Sequence, residues 1–207
     1  MPVKLVQYWN ILPATKSEFD AYFIREYVPR INATGFMRVV GSWHVASGEG
    51  PYFITEAVAG TVTEVESLIM TPLYSDLRNR LLQLVRDCQS KLLVPIESME
   101  PDVPDVEHGY KFNQHFNINP ADFYEFLAFE EQVHLPEMKR FGLTLVGGWN
   151  VAVGATPYMI DETRADNLVT IGEMLENPAY QKLTLKLLQL VSNYGCKILV
   201  PSGHINT

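Results

Sequence analysis

The chain has 207 residues, 47% of them hydrophobic and 19% charged, with a net charge of −8 and a pI near 5.1. That balance suits a soluble globular protein with a sizeable core. It argues against a nucleic-acid backbone or an anionic membrane as the main partner, because both need a basic surface.

No apolar run approaches the roughly 20 residues that span a bilayer, and the first residues lack the pattern of a secretory signal. A cytoplasmic location is therefore the expectation. The two cysteines, Cys88 and Cys196, show no metal-binding or redox spacing and read as free thiols.

Taken in order, Val3, Leu5, Gln7 and Trp9 alternate with Lys4, Val6, Tyr8 and Asn10 and predict a strand over 3–10. Thr15-Lys-Ser-Glu18 has capping-box spacing. Phe19, Tyr22, Phe23, Tyr27 and Ile31 follow as the apolar stripe of a helix. Gly35 ends that helix. A strand over 37–46, a Gly/Pro turn and a strand over 52–59 follow. Val62–Met70 reads as a short helix with Thr63 and Glu66 at its start. Thr71-Pro72 re-caps a longer helix whose stripe runs Leu73, Leu77, Leu81, Leu84, Val85, Cys88, and Leu92–Ile96 reads as the last strand.

The same series then returns. Positions 41–95 lie over 147–201 without a gap, and 22 of those 55 positions are identical. Upstream, Lys4–Ile11 lies over Lys111–Ile118. A repeat of this length is a domain rather than a solenoid turn. The expected organisation is unit 1 at 1–97, an acidic, Pro-containing linker at 98–108 and unit 2 at 109–207. The order β-α-β-β-α-β within each is the ferredoxin-like motif. The fold class is thus α+β, two tandem ferredoxin-like units packed sheet to sheet as a pseudo-dimeric α/β barrel, since each sheet needs a cover for its bare face.

Several polar residues are candidates for chemistry. Glu56 and Glu162 sit mid-strand, where a carboxylate is costly to bury without a partner. Gln7 and Gln114 recur on the first strand of each unit and could orient a ligand carbonyl. The histidines separate the copies. His115 and His134 stand where unit 1 has Tyr8 and Tyr27, while His44 faces Asn150. His115, His134 and Glu162 are therefore the candidate catalytic set, in unit 2. Gln114, Trp149, Tyr158, Gln7, Trp43, Tyr52 and Glu56 are the candidate ligand-binding residues, with the aromatics as walls for a flat molecule. No nucleotide-binding, nucleophile-elbow or metal-protease motif is present.

Glu26-Tyr-Val-Pro29, Gly35-Phe36, Val40-Gly-Ser-Trp43, Gly48 and Pro72-x-Tyr74 resemble NIPSNAP-type members of the dimeric α/β-barrel superfamily. Glu131-Gln-Val-His-Leu-Pro136 is similar to a His-x-Pro element of related barrel families. The resemblance implies a pocket in each unit between sheet and helices. It also implies a superfamily of cofactor-free oxygenases, isomerases, haem enzymes and members without a known reaction. The expected function is a small-molecule-binding protein, a cofactor-independent oxygenase or isomerase acting on an aromatic or polyketide-like compound. The alternatives are a non-catalytic NIPSNAP-like binding protein and a haem-binding barrel with one axial histidine. No cofactor or metal is expected. The expected partner is a small apolar or aromatic molecule, with no nucleic acid or membrane, an internal pseudo-dimer and room for a further homodimer.

Overall fold

The computed structural model describes residues 2–96, 99 and 109–204. Of the linker expected at 98–108, only Met99 is among them. The chain forms two compact units. Unit 1 is Met1–Val94 with Ala152–Gly154 and Val200–Thr207, and unit 2 is Pro95–Val151 with Ala155–Leu199.

Unit 1 runs β1 (Val3–Ile11), α1 (Lys16–Tyr22), a π turn (Phe23–Tyr27), α2 (Val28–Asn32), β2 (Arg38–Ser47), β3 (Phe53–Ala59), α3 (Val62–Ile69), α4 (Pro72–Leu81) and β4 (Val85–Pro95). β1 pairs antiparallel with β3 and β4, and β3 pairs with β2. Unit 2 has the same order: β5 (Tyr110–Ile118), α5 (Phe123–Phe129), a π turn (Glu130–His134), α6 (Leu135–Arg140), β6 (Thr144–Val153), β7 (Met159–Ala165), α7 (Leu168–Glu176), α8 (Pro178–Leu190) and β8 (Val191–Pro201). β5 pairs with β7 and β8, and β7 with β6. Each unit is the expected ferredoxin-like α+β motif.

Local chemistry departs from the sequence expectations in three places. Thr15 does not cap α1; its hydroxyl donates to the carbonyls of Leu12 and Leu84 and ties the turn at Pro13–Thr15 to the turn between α4 and β4. The capping box at α3 is Thr61 with Glu64, two residues earlier than expected. Finally, α4 stops at Leu81, and the stretch from Val85 through Cys88 is strand. The reason is pairing: Val85 and Arg86 lie opposite Ile11 and Asn10 of β1, so the ladder outweighs the apolar period. Thr71 caps α4 as expected, and Asn177, the aligned residue of unit 2, caps α8, the two accepting from the backbone amides of Tyr74 and Ala179.

Strand alternation sends residues to two faces. On the helix-facing side of unit 1, Trp9, Phe19, Phe23 and Phe53 are all buried, with Trp9 stacked on Phe53 at 5.7 Å and Phe19 on Phe23 at 5.4 Å. Rings of this size supply most of a core's apolar burial. On the opposite face, buried Lys4 pairs with buried Glu56 at 3.3 Å. Unit 2 repeats that pair with Lys111 and Glu162 at 4.0 Å.

Candidate functional site

The two units diverge on the helix-facing side. The π turn of unit 1 presents Phe23 and Tyr27, while that of unit 2 presents Glu130 and His134 at the matching positions. Residues four apart on a helix are neighbours, and His134 Nδ1 lies 2.9 Å from Glu130 Oε1. Facing them from β7 is Asp161, where unit 1 has Thr55. One donor atom from each of the three lies within 4.8 Å of the others, and all three residues are buried.

These groups are not satisfied by the protein around them. Glu130 is 2%, His134 1% and Asp161 1% exposed. Glu130 Oε2, His134 Nε2 and both carboxylate oxygens of Asp161 have no hydrogen-bond partner. Burial, and the charge of nearby Glu130, hold the Asp161 carboxyl well above the usual carboxylate range. Gln114 lies directly across the ladder from Asp161. Its amide nitrogen donates to Tyr194 at 2.9 Å, and its Oε1 is also unpartnered. A cavity of about 80 Å³, lined by Met99, Leu127, Glu130, Glu131 and Leu135, opens beside the cluster. In unit 1 the glutamine is closed by protein, Tyr27 donating to Gln7 Oε1 at 2.8 Å and Gln7 to Tyr74 at 3.3 Å, and the one unpartnered atom at the matching positions is the neutral hydroxyl of Thr55.

Each unit also has a surface cleft beside the end of its first strand. That of unit 2 measures about 500 Å³, with Asn117, Phe123, Tyr124, Asn150, Tyr158 and Met159 among its walls. This lies within the usual range for small-ligand sites, roughly 300–1,000 Å³. Met159 is two residues before Asp161 on the same face of β7, so the cleft and the buried cluster are about 7 Å apart along the strand. The cleft of unit 1 is smaller, about 390 Å³, and more polar, with Lys16, His44 and Arg86 in its wall. Its inner end is filled. The His204 ring sits edge-on to Phe19, Phe23 and Phe53, and its Nε2 lies 2.7 Å from Asp20 Oδ1.

The residues singled out in the sequence fall into three groups. His134, Gln114 and Gln7 face the helices. Tyr52 and Tyr158, both more than half exposed, line the two clefts. His115, Glu162, Glu56, Trp43 and Trp149 belong to the opposite sheet face. There His115 lies over Gly195, whose added Cβ would stand 2.4 Å from the imidazole Nε2. Glu162 accepts from Trp149 Nε1 at 3.0 Å and Asn113 Nδ2 at 3.4 Å. Trp43 covers Gly41, where an added Cβ would meet the ring at 1.9 Å. The structure therefore does not bring His115, His134 and Glu162 together, because His115 on β5 and Glu162 on β7 point to the sheet face away from the helix that carries His134. Glu130 and Asp161 escaped the sequence reading. Their signal was the exchange of Phe23 for Glu and of Thr55 for Asp between aligned copies.

The architecture is that of the dimeric α/β-barrel proteins, and solved structures match it along nearly the whole chain. A candidate monooxygenase from Lactobacillus acidophilus NCFM aligns with TM-score 0.65 at 15% identity, covering 97% of this chain and 93% of its own. An anthrone oxidase-like protein aligns with TM-score 0.63 at 13% identity, covering 98% and 93%. A chlorite dismutase variant from Candidatus Nitrospira defluvii gives TM-score 0.64 at 10% identity, covering 98% and 92%. No protein-family model matches the chain, and none of the curated proteins matches its sequence. Identities this low carry the fold and not the reaction.

Neither His134 nor His44 lines the larger cleft, where a haem-sized ligand would have most room. His134 is enclosed, 1% exposed, and is not among the residues that line the 80 Å³ cavity. His44 lines the unit 1 cleft with its ring packed on Phe53 at 5.2 Å and facing His204 at 6.2 Å. No histidine lines the larger cleft of unit 2.

Proposed function

We propose that the chain is a small-molecule enzyme, an oxygenase or isomerase of an aromatic or polyketide-like compound, with its working site on the helix-facing side of unit 2. The aromatic cleft formed by Phe123, Tyr124 and Tyr158 binds the flat ligand, which points inward past Met159. The polar group Glu130–His134–Asp161 meets it at the inner end. One observation carries the reading. Unit 2 keeps three buried ionisable side chains with unpartnered atoms where unit 1 has Phe23, Tyr27 and Thr55. Buried polar atoms without partners are destabilising, and such groups concentrate at functional sites. That feature sets an enzyme above a purely binding role of the NIPSNAP type, which remains the kinship suggested by the sequence motifs.

The likeness to an anthrone oxidase-like protein supplies the first substrates to try. Anthrones and related hydroxylated polycyclic compounds should bind to the protein, and turnover should appear as oxygen uptake or as an isomerised product. Tyr158→Ala should weaken binding about tenfold or more, in keeping with the roughly 1–3 kcal/mol carried by an aromatic contact. Binding that is insensitive to Tyr158→Ala and Phe123→Ala, or turnover that survives Asp161→Thr, sinks the proposal.

A further inference from the structure

We propose that Glu130, His134 and Asp161 form a binding site for one divalent transition-metal ion, of the Zn²⁺, Fe²⁺ or Mn²⁺ kind. The site offers one imidazole nitrogen and two carboxylate oxygens, already gathered within 4.8 Å of one another. An ion whose bonds to such donors are roughly 2.0–2.2 Å long needs only small side-chain shifts to span that set. Mixed nitrogen and oxygen donors select this group of metals over Mg²⁺ and Ca²⁺, which favour oxygen alone.

Three independent features point to an ion rather than to a structural cluster. The first is the set of orphaned atoms. Asp161, 1% exposed, has neither oxygen hydrogen-bonded, and Glu130 Oε2 and His134 Nε2 are likewise unpartnered. A bound cation gives each of them a partner at once. The second is charge. Two buried carboxylates side by side repel, and a 2+ ion neutralises the pair. The cations on the other sheet face are engaged elsewhere, Lys111 with Glu162. The third is space. Glu130 lines a cavity of about 80 Å³, which exceeds a single water's share of roughly 30 Å³. Three protein ligands with room for solvent is the pattern of a catalytic rather than a closed structural metal site. Gln114 Oε1, across the ladder from Asp161, is placed to hold a bound water. Unit 1 offers none of this, with Phe23, Tyr27 and Thr55 at the matching positions.

The inference rests on the reading of unit 2 as the working half, but its test reads the ion directly. Chelator-treated full-length protein is titrated separately with Zn²⁺, Mn²⁺ and, under anaerobic conditions, Fe²⁺, with Mg²⁺ as the contrast. Calorimetry and thermal unfolding report binding. Wild type should take up one ion per chain and melt at higher temperature. Asp161→Asn and His134→Gln should each weaken uptake by more than the roughly 10–100-fold that loss of an outer-shell partner costs. His44→Asn should bind like wild type. Glu130→Gln, the mildest change, covers the case in which the others fold poorly, and circular dichroism checks all of them. Absence of uptake by the wild type, or uptake unchanged by these substitutions, overturns the site. Turnover of an aromatic substrate by ion-free protein overturns the catalytic role of the ion while leaving the enzyme reading in place. Stoichiometric uptake without turnover of any substrate does the reverse.

Discussion

Units 1 and 2 share a frame and differ in what fills it. Between sheet and helices, unit 1 is closed by Trp9, Phe19, Phe23 and Phe53, with His204 at the mouth. Unit 2 has Phe116, Phe126 and Met159 at three of those positions and Glu130 in place of Phe23. The other sheet face keeps its buried Lys–Glu pair in both units, although His115 and Asn113 stand there in place of Tyr8 and Val6. One copy has thus been finished as a core, while the other carries buried charge that packing alone would disfavour. Two halves with the same element order provide an internal control that a single-domain protein lacks.

The largest effect should come from giving unit 2 the side chains of unit 1. The triple change Glu130→Phe, His134→Tyr, Asp161→Thr should abolish turnover and raise stability by about 1–4 kcal/mol, as replacing buried ionic groups with packed neutral ones does. Chemical denaturation and an activity assay check both halves. A stable triple variant that keeps its activity would move the site elsewhere.

Lys4→Met and Lys111→Met should each cost up to about 3–5 kcal/mol, because each removes the cation beside a buried glutamate. Similar losses in the two units would mark this face as structural. If Lys111→Met instead removed activity at unchanged stability, Glu162 would return as a catalytic candidate.

Next comes the cleft. Tyr158→Ala and Phe123→Ala should raise KM for an aromatic substrate about tenfold, while Tyr52→Ala in unit 1 should leave it unchanged. These residues are 54%, 43% and 57% exposed, so stability should move by less than about 0.5 kcal/mol.

The smallest effect concerns pH. Burial pushes His44 below the ordinary imidazole value; His204 and Lys16 add to this, and Asp20 opposes it. The folded state then binds fewer protons than the unfolded chain in the window below about pH 6.5. His44 therefore makes stability fall as pH drops through that window. His44→Asn, the residue of unit 2, should flatten the slope measured by denaturation between pH 5 and 7.

Much of the frame was legible in the chain itself. Alternation at Val3–Trp9, the Phe19–Ile31 stripe and the caps at Thr71 and Asn177 are local signals, and a near-gapless repeat states each of them twice. The extent of α4 was not legible, because Leu84, Val85 and Cys88 continue a helical period and only pairing with β1 makes them strand. The site was half legible. His134 stood out as a histidine where unit 1 has tyrosine. Glu130 and Asp161 did not stand out, since composition does not tell an exposed carboxylate from a buried one.

By itself the sequence determined the element order, its repetition and the positions at which the two copies differ. The tertiary structure decided which of those differences meet. Residues 130 and 134 become neighbours through one turn of helix, but residue 161 joins them only because β7 lies beside β5 and turns that face of its pleat toward the helix. The same pleat sends His115 and Glu162 to the other side. Sheet pairing sets that geometry, and pairing joins residues far apart along the chain.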